Sequence, residues 1–587
     1  MHNFDWLIIV LYFVGTFLIG YAYKKKAGGS TEDFFLSGRQ LPWWLAGLSM
    51  VATTFAADTP LAVTELVGKN GIAGNWLWWN MLIGGMLTVF FFARLWRRAN
   101  ILTDVEFIEL RYSGKSAAFL RGFKSIYLGV FMNTIIMGWV NLAMMKILIG
   151  MFPDYINQGN VIIFVGLCML LTAIYSAISG LWGVAVTDAF QFILAMGGCI
   201  ILSIIVLNSD QIGGISGLQS KLPSWALKFT PEIGTSNPEN SMGGVLAITI
   251  SSFLAFIGMQ WWASWYPGAE PGGGGYVAQR MMSSKNEKHS LFATLFFQVA
   301  HYCIRPWPWI IVGLCALVLY PDLPMADKGS GYVKAMNDFL PTGLKGLMLA
   351  AFFAAYMSTI ATHLNWGTSY FINDFYKRFI RKDENEKHYV TLSRLITIVF
   401  MVLSVIVTLF MESISGVWSF VIECGAGLGL VLILRWFWWR VNAISEITAT
   451  VTPFIVYAVI YFVKLDIAFP DSLFIIVPLT TVAWITAMYL TKPSEESKLT
   501  NFYRLIRPGG PGWRNMRLKH PEVKNDRGYG YLFLDWFLGI ILVYMFLFGT
   551  GKIIFAEYMT GLIFISAGIL SAVLIFVNLK KHDSIFD

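Results

Sequence analysis

Long apolar stretches, each bounded by a short polar or charged segment, recur along the whole chain. A membrane crossing needs about 20 mostly apolar residues, and about fifteen stretches meet that criterion. They centre near Val14, Thr54, Gly85, Ile136, Met169, Met196, Phe253, Trp307, Phe353, Val402, Gly427, Ile455, Val477, Ile541 and Ala567. The pattern predicts an all-α polytopic membrane protein. The first stretch, 4–23, has neither a basic leader nor a small-residue cleavage site, so it reads as a retained helix rather than a signal peptide. Segments 208–242 and 321–341 are polar and predict outer loops. Segment 491–530 is basic and contains Pro508-Gly-Gly-Pro-Gly512, which predicts a linker or surface segment.

Composition agrees with a bilayer. The chain has 587 residues, of which 56% are hydrophobic and 13% charged, against about 25% charged in soluble domains. Hydrocarbon accepts apolar side chains all round a helix, where water does not. No polar stretch is long enough for a second domain, so one bundle is expected. The five cysteines lie in apolar stretches, giving neither a disulfide framework nor zinc-ligand spacing. The net charge of +8 raises the question of nucleic acid. With the amino terminus outside, 32 of the 43 basic residues fall in inner loops and seven in outer ones. Basic residues collect on the cytoplasmic side of membrane proteins. This predicts a multi-pass protein of the cell membrane, amino terminus outside and carboxyl terminus cytoplasmic. Charge spread over many loops, rather than gathered on one face, also excludes a nucleic-acid partner.

Few polar groups lie inside the apolar stretches. The second contains Ser49-Met-Val-Ala-Thr-Thr-Phe-Ala-Ala-Asp-Thr-Pro60. Pro60 removes a backbone donor and strains the turn before it, so freed carbonyls there could bind a cation; a kinked helix with small residues for close packing fits equally. The ninth contains Ala354-Ala-Tyr-Met-Ser-Thr-Ile-Ala-Thr-His-Leu-Asn365. There the Ser358 and Thr359 hydroxyls share a face with the Ala355 carbonyl one turn earlier. Sodium is a hard cation that takes oxygen ligands, as calcium does; hydroxyls bonded back to their own helix are the alternative. Ionisable residues within membrane helices are costly and usually functional, and here they are Asp58, Lys146, Asp188, Arg305, His363 and Glu423. The tract Pro267-Gly-Ala-Glu-Pro-Gly-Gly-Gly-Gly275 lacks the Gly-Lys-Ser/Thr of a phosphate loop and reads as a hinge or loop. His301 and His363 have no partner at metal-ligand spacing, so no intramembrane enzyme is expected.

Several segments resemble the sodium/solute symporter family, which includes sodium/glucose, sodium/proline and sodium/sialic acid carriers. Asp33-Phe-Phe-Leu-Ser-Gly-Arg-Gln-Leu-Pro-Trp-Trp44 is similar to that family's entry to its first core helix. Tyr175-Ser-Ala-Ile-Ser-Gly-Leu-Trp-Gly-Val-Ala-Val-Thr-Asp188 resembles its Tyr-Ser/Thr-x-x-Gly-Gly-Leu segment running into Thr-Asp, departing at Ser179. Met357-Ser-Thr359, Asn365, Asp374-Phe-Tyr376 and Gln279-Arg280 also match, and the likeness runs over about 5–440. It implies a leucine-transporter fold with two inverted five-helix repeats around a central site, plus one amino-terminal and about four carboxyl-terminal helices. The expected division is 1–30 for the extra first helix, 40–210 and 243–440 for the repeats, and 441–587 for the remaining helices. Interruptions are expected near Pro60 and across 258–267.

Carried over residue by residue, the resemblance implies a sodium site of the Ala52, Phe55 and Ala355 carbonyls with the Ser358 and Thr359 hydroxyls. Asp188 matches an aspartate linked to sodium coupling. Of the two positions for a second set of hydroxyls, Ala361 and Thr362, only Thr362 could serve. A solute site in the interrupted spans would use Thr54, Asp58, Thr59, Gln260, Trp261, Trp262, Arg305 and Glu423. Thr59 stands where sugar carriers have glutamine, and the glycine tract resembles an insertion beside the inner gate. The expectation is sodium-coupled symport of a small polar organic solute, with a sugar favoured, by alternating access. It needs sodium as coupling ion, no organic cofactor and no obligate protein partner. The alternatives are a membrane sensor built on the same fold and a symporter of a carboxylate or amino-acid solute.

Overall fold

The computed structural model describes residues 2–23, 31–233, 247–248, 250–464, 467, 469–523, 526 and 529–582. Hydrocarbon offers the backbone no hydrogen-bond partner, so a chain this apolar satisfies its amides within helices. Helix α1 is Asn3–Tyr23. A discontinuous crossing follows, α2 (Trp43–Thr53) and α3 (Asp58–Asn70), then α4 (Ile72–Ala99), α5 (Gly114–Met151) and α6 (Val161–Leu207). The second discontinuous crossing is α7 (Phe253–Ala263) and α8 (Gly275–Ser283), followed by α9 (Glu287–Leu319), α10 (Leu344–Ile380) and α11 (Glu386–Thr408). A third joins α12 (Ile414–Cys424) to α13 (Leu428–Phe437). The chain ends with α14 (Ala443–Phe462), α15 (Leu473–Leu490), α16 (Glu496–Ile506), α17 (Tyr529–Ile554) and α18 (Tyr558–Lys581). The one sheet among the described residues is a parallel pairing of Glu232–Ile233 with Ala247–Ile248.

Ten of these helices are long and apolar enough to cross a membrane alone. The broken crossings are assembled from shorter pieces. Helix α6 is longer than one crossing needs. Straight, it would be ~70 Å long against ~30 Å of hydrocarbon. Met169 is bound by Asn141, which accepts from Tyr356, while Asp188 accepts from Ser358. Both parts of α6 therefore reach α10.

Helices α4 and α10, each 89% buried, lie inside the bundle; α11 and α18, at 17% and 22%, lie at the rim. Helix α1 belongs to the bundle. Its Asp5 carboxylate accepts the Gly343 and Gly346 amides at 2.7 and 2.9 Å, capping the start of α10, where free N–H groups and the helix dipole favour an anion.

The third break, at Gly425–Gly427, is stitched to the second. Trp265 N–H donates to the Gly425 carbonyl at 3.0 Å, and Gly427 N–H donates to the Ala263 carbonyl at 2.9 Å. Glycine is required for this approach: a Cβ on Gly425 would sit 2.5 Å from the Trp265 oxygen, and Gly427 has φ +92°.

Segment 491–530 is not a free linker. Leu499, Phe502, Tyr503 and Ile506 form one buried stripe of α16, at the spacing of an amphipathic helix. Trp513 is buried, stacks on Phe502 at 5.5 Å and donates to the Trp436 carbonyl at 2.8 Å. The Pro-Gly run turns the chain between these two anchors.

Candidate functional site

Residues Thr54–Ala57 lie between α2 and α3; the Thr54 and Phe55 amides still bond back to Met50 and Val51, and the helix stops there. Pro60 lies just after it, in the first turn of α3, where a missing N–H costs nothing because that turn has no intrahelical acceptor. The carbonyls just before the break find partners on other helices. Thr359, from α10, donates its hydroxyl to the Thr53 carbonyl at 3.1 Å. Its neighbour Ser358 donates to Asp188 Oδ1 at 2.5 Å, and Ser49 donates to Asp188 Oδ2 at 2.7 Å. Ala52, Phe55, Ala355, Ser358, Thr359 and Asp188 are all buried in this junction. A hydroxyl that gives its proton away still presents oxygen lone pairs. Oxygen atoms of this kind are what a hard cation such as sodium takes.

Arg280, from α8, closes this cluster. It lies 4.0 Å from Asp188 Oδ2 and donates to Ser49 at 3.2 Å, and at 3.4 Å to both Thr53 and Thr362. Thr362 is thus held by a guanidinium. Sequence reasoning missed Ser49 and Arg280 as members of the cluster. Ser49 stands in the quoted small-residue stretch, and Arg280 stands in the matched Gln-Arg pair.

Thr53 and Thr359 also line a central cavity of about 90 Å³. Its walls carry Thr54, Asp58 and Thr59 from the break, and Trp78, Trp139, Tyr266 and Trp418 from α4, α5, the second break and α12. Asp58 is buried, and its Oδ1 has no partner among the described residues. Arg305 donates to the Thr54 hydroxyl at 2.6 Å and the Thr54 carbonyl at 2.7 Å, and meets His301 Nδ1 at 2.7 Å. Its guanidinium lies over Phe55 and Trp309, at 5.6 and 5.1 Å. This clamp holds Thr54 by its hydroxyl and its backbone carbonyl at once, a use that the planar guanidinium fork suits.

Four residues expected at the solute site lie elsewhere. Gln260 donates to the Leu77 carbonyl at 2.9 Å, Trp261 packs on Trp536 of α17 at 6.1 Å, and Trp262 packs against the buried cluster of α14 and α15. Glu423 accepts from Ser472. None of the four lines the cavity. Gln260 turns to α4, and Trp261, Trp262 and Glu423 turn to the carboxyl-terminal part of the chain, directions uniform hydrophobicity does not encode. In their place the cavity has Gln298, His301, Tyr302 and His363. Lys146 pairs with Asp327 at 3.1 Å, away from the site.

With this geometry in view, the relatives fall into one group. The model of the sodium:solute symporter family matches residues 34–451. The sodium/glucose cotransporter of Vibrio parahaemolyticus is 25% identical over 475 residues, covering 77% of this chain and 83% of that protein. Sodium/glucose cotransporter 4 of Mus musculus is 22% identical over 440 residues; the match covers 71% of this chain but only 62% of that one. Among solved structures, the substrate-bound, outward-open state of a Na+-coupled sialic acid symporter aligns with a TM-score of 0.64 and 21% identity, over 84% of this chain and 99% of that one. The shared architecture is the leucine-transporter fold, with its two inverted five-helix repeats. The chain is a member of the sodium:solute symporter family.

Proposed function

We propose that this protein is a sodium-coupled symporter that moves a small polar organic solute, a sugar or related polyol, across the cell membrane by alternating access. The observation that carries the reading is the double duty of Thr53 and Thr359, which join the break of α2 to α10 and also form a wall of the central cavity. A cation held by the Ser358 and Thr359 hydroxyls and the Ala52, Phe55 and Ala355 carbonyls would pull α2 onto α10. That movement sets the wall against which a solute binds. Asp188 would hold the Ser358 hydroxyl in place, with Thr362 in reserve beside Arg280. The repeats would run over 40–210 and 243–440, with 1–30 and 441–587 outside them. The amino terminus would lie outside and the carboxyl terminus in the cytoplasm.

The sugar preference rests on the cavity's chemistry and on the named activity of the relatives. Asp58 presents an unpartnered carboxylate oxygen among aromatic rings. A carboxylate orients hydroxyls, while aromatic faces take the apolar faces of a pyranose ring. Arg305 already holds Thr54 and His301 through both terminal nitrogens, and its Nε, without a partner among the described residues, is the group a carboxylate solute would have to use. Uptake into proteoliposomes under a sodium gradient tests this, with radioactive glucose as probe and neutral sugars, sugar acids and amino acids as competitors. Inhibition by neutral sugars alone is expected. Inhibition by carboxylate-bearing compounds alone would overturn the sugar assignment, and uptake indifferent to sodium would overturn the symport.

A further inference from the structure

The glycine tract between α7 and α8 takes no part in the site above, yet it is folded around charge. Gly272, Gly273 and Gly275 have φ of +80, +80 and +53°, values that favour glycine strongly. Glu270, within the tract, is 4% exposed. Its Oε2 accepts the Gly268 amide at 3.0 Å, while its Oε1 has no partner among the described residues. Asp104, from the segment between α4 and α5, reaches the same place. Its Oδ2 accepts the Gly275 amide at 2.8 Å, and its Oδ1 accepts from Tyr370 of α10. A Cβ on Gly275 would lie 3.0 Å from Glu270 Oε1, and one on Gly274 would lie 3.6 Å from Asp104 Oδ2. The glycines therefore let both carboxylates close on one stretch of backbone.

The two carboxylates share a cavity of about 20 Å³ with Lys124, Arg435 and Glu446, room for one water-sized or ion-sized occupant. The two cations are already spoken for: Lys124 and Arg435 lie 3.2 and 3.1 Å from Glu446 Oε1, and Tyr112 donates to Glu446 Oε2 at 3.0 Å. Three carboxylates face two cations, so the enclosure is one positive charge short. A buried charge without a partner is expensive.

We propose that Glu270 and Asp104 form a second cation site beside the central cavity, taking a sodium ion or a proton, separate from the paired-hydroxyl site. An occupant there ties the tract to the α4–α5 segment and, through Tyr370, to α10. The site stands on its own charges and does not depend on which solute is carried.

The test uses the purified full-length protein. Equilibrium binding of radioactive sodium and the pH dependence of the thermal midpoint are measured for wild type, Glu270→Gln, Asp104→Asn and the double variant Ser358→Ala/Thr359→Ala. If the occupant is sodium, Glu270→Gln and Asp104→Asn each lose half of the saturating sodium, and the hydroxyl double variant loses the other half. If it is a proton, sodium binding is unchanged in Glu270→Gln but the midpoint loses its pH dependence. Unchanged sodium capacity together with an unchanged pH profile overturns the proposal, whatever the hydroxyl variant does. Should Glu270→Gln not fold, Glu270→Asp, which keeps the charge but withdraws it by one methylene, is read by the same two measurements and the same criterion.

Discussion

Ser358 and Thr359 differ in what their hydroxyls hold, and substitution should separate them. Ser358 supports a buried carboxylate. Its loss leaves Asp188 short of a donor, a cost of about 1–3 kcal/mol, so Ser358→Ala should lower the thermal midpoint even without sodium. Thr359 donates to the neutral Thr53 carbonyl, whose loss of a donor costs less than that of a carboxylate. Thr359→Ala should lower the sodium-free midpoint less than Ser358→Ala does, while weakening sodium binding about tenfold or more, some 1.4 kcal/mol. Calorimetry of both variants with and without sodium checks this. The Arg305 clamp gives a sharper case. Lysine keeps the charge but cannot fork across the Thr54 hydroxyl, the Thr54 carbonyl and His301. Arg305→Lys should therefore raise the solute concentration for half-maximal uptake by about tenfold, and uptake kinetics at saturating sodium measure it. At this scale the sequence is legible only in part. Ser358, Thr359 and Asp188 stand out as polar residues in apolar stretches. Arg280 hides among the basic residues that follow a span, because nothing in its neighbours shows that α8 returns it to the core.

Broken helices, more than continuous ones, shape the interior. The first two interruptions are expected near Pro60 and across 258–267; the second falls later, between Ala263 and Gly275, because α7 stays helical to Ala263. The third is not legible in the sequence, since Gly425 and Gly427 look like the many glycines of membrane helices until Trp265 is placed against them. The pairing predicts a steep local penalty. A Cβ on Gly429, in α13, would lie 2.2 Å from the Trp262 carbonyl oxygen, and such overpacking costs typically 1–3 kcal/mol. Gly429→Ala should lower the midpoint and slow uptake. Gly197→Ala, in α6, where a Cβ meets nothing within 4 Å, should be neutral or stabilising by about 0.4–1 kcal/mol. Parallel thermal melts of the two variants compare them directly. The same limit explains Trp261 and Trp262. In a helix apolar all round, hydropathy gives the span but not which face turns inward.

Across the whole molecule, the membrane-spanning helices are legible because hydrocarbon demands long apolar runs. The docking of 491–530 is not, because composition marks a basic, Pro-Gly segment as surface and says nothing of the stripe Leu499, Phe502, Tyr503, Ile506. Trp513→Ala removes a fully buried indole that stacks on Phe502; the loss should be about 3–5 kcal/mol, read as a lower midpoint of the purified protein. Ser497 lies exposed on this segment. A cysteine placed there should react with an impermeant maleimide only after the cytoplasmic face is opened, and labelling of intact cells would reverse the orientation. The claim on which the rest depends is that sodium binds where α2 meets α10. It is tested most directly by titrating sodium chloride against choline chloride at constant ionic strength and following the thermal midpoint. The wild type should gain about 2.7 kcal/mol at a hundredfold excess over its dissociation constant, and the Ser358→Ala/Thr359→Ala double variant should lose most of that gain. An equal, undiminished sodium response in both proteins would contradict the account.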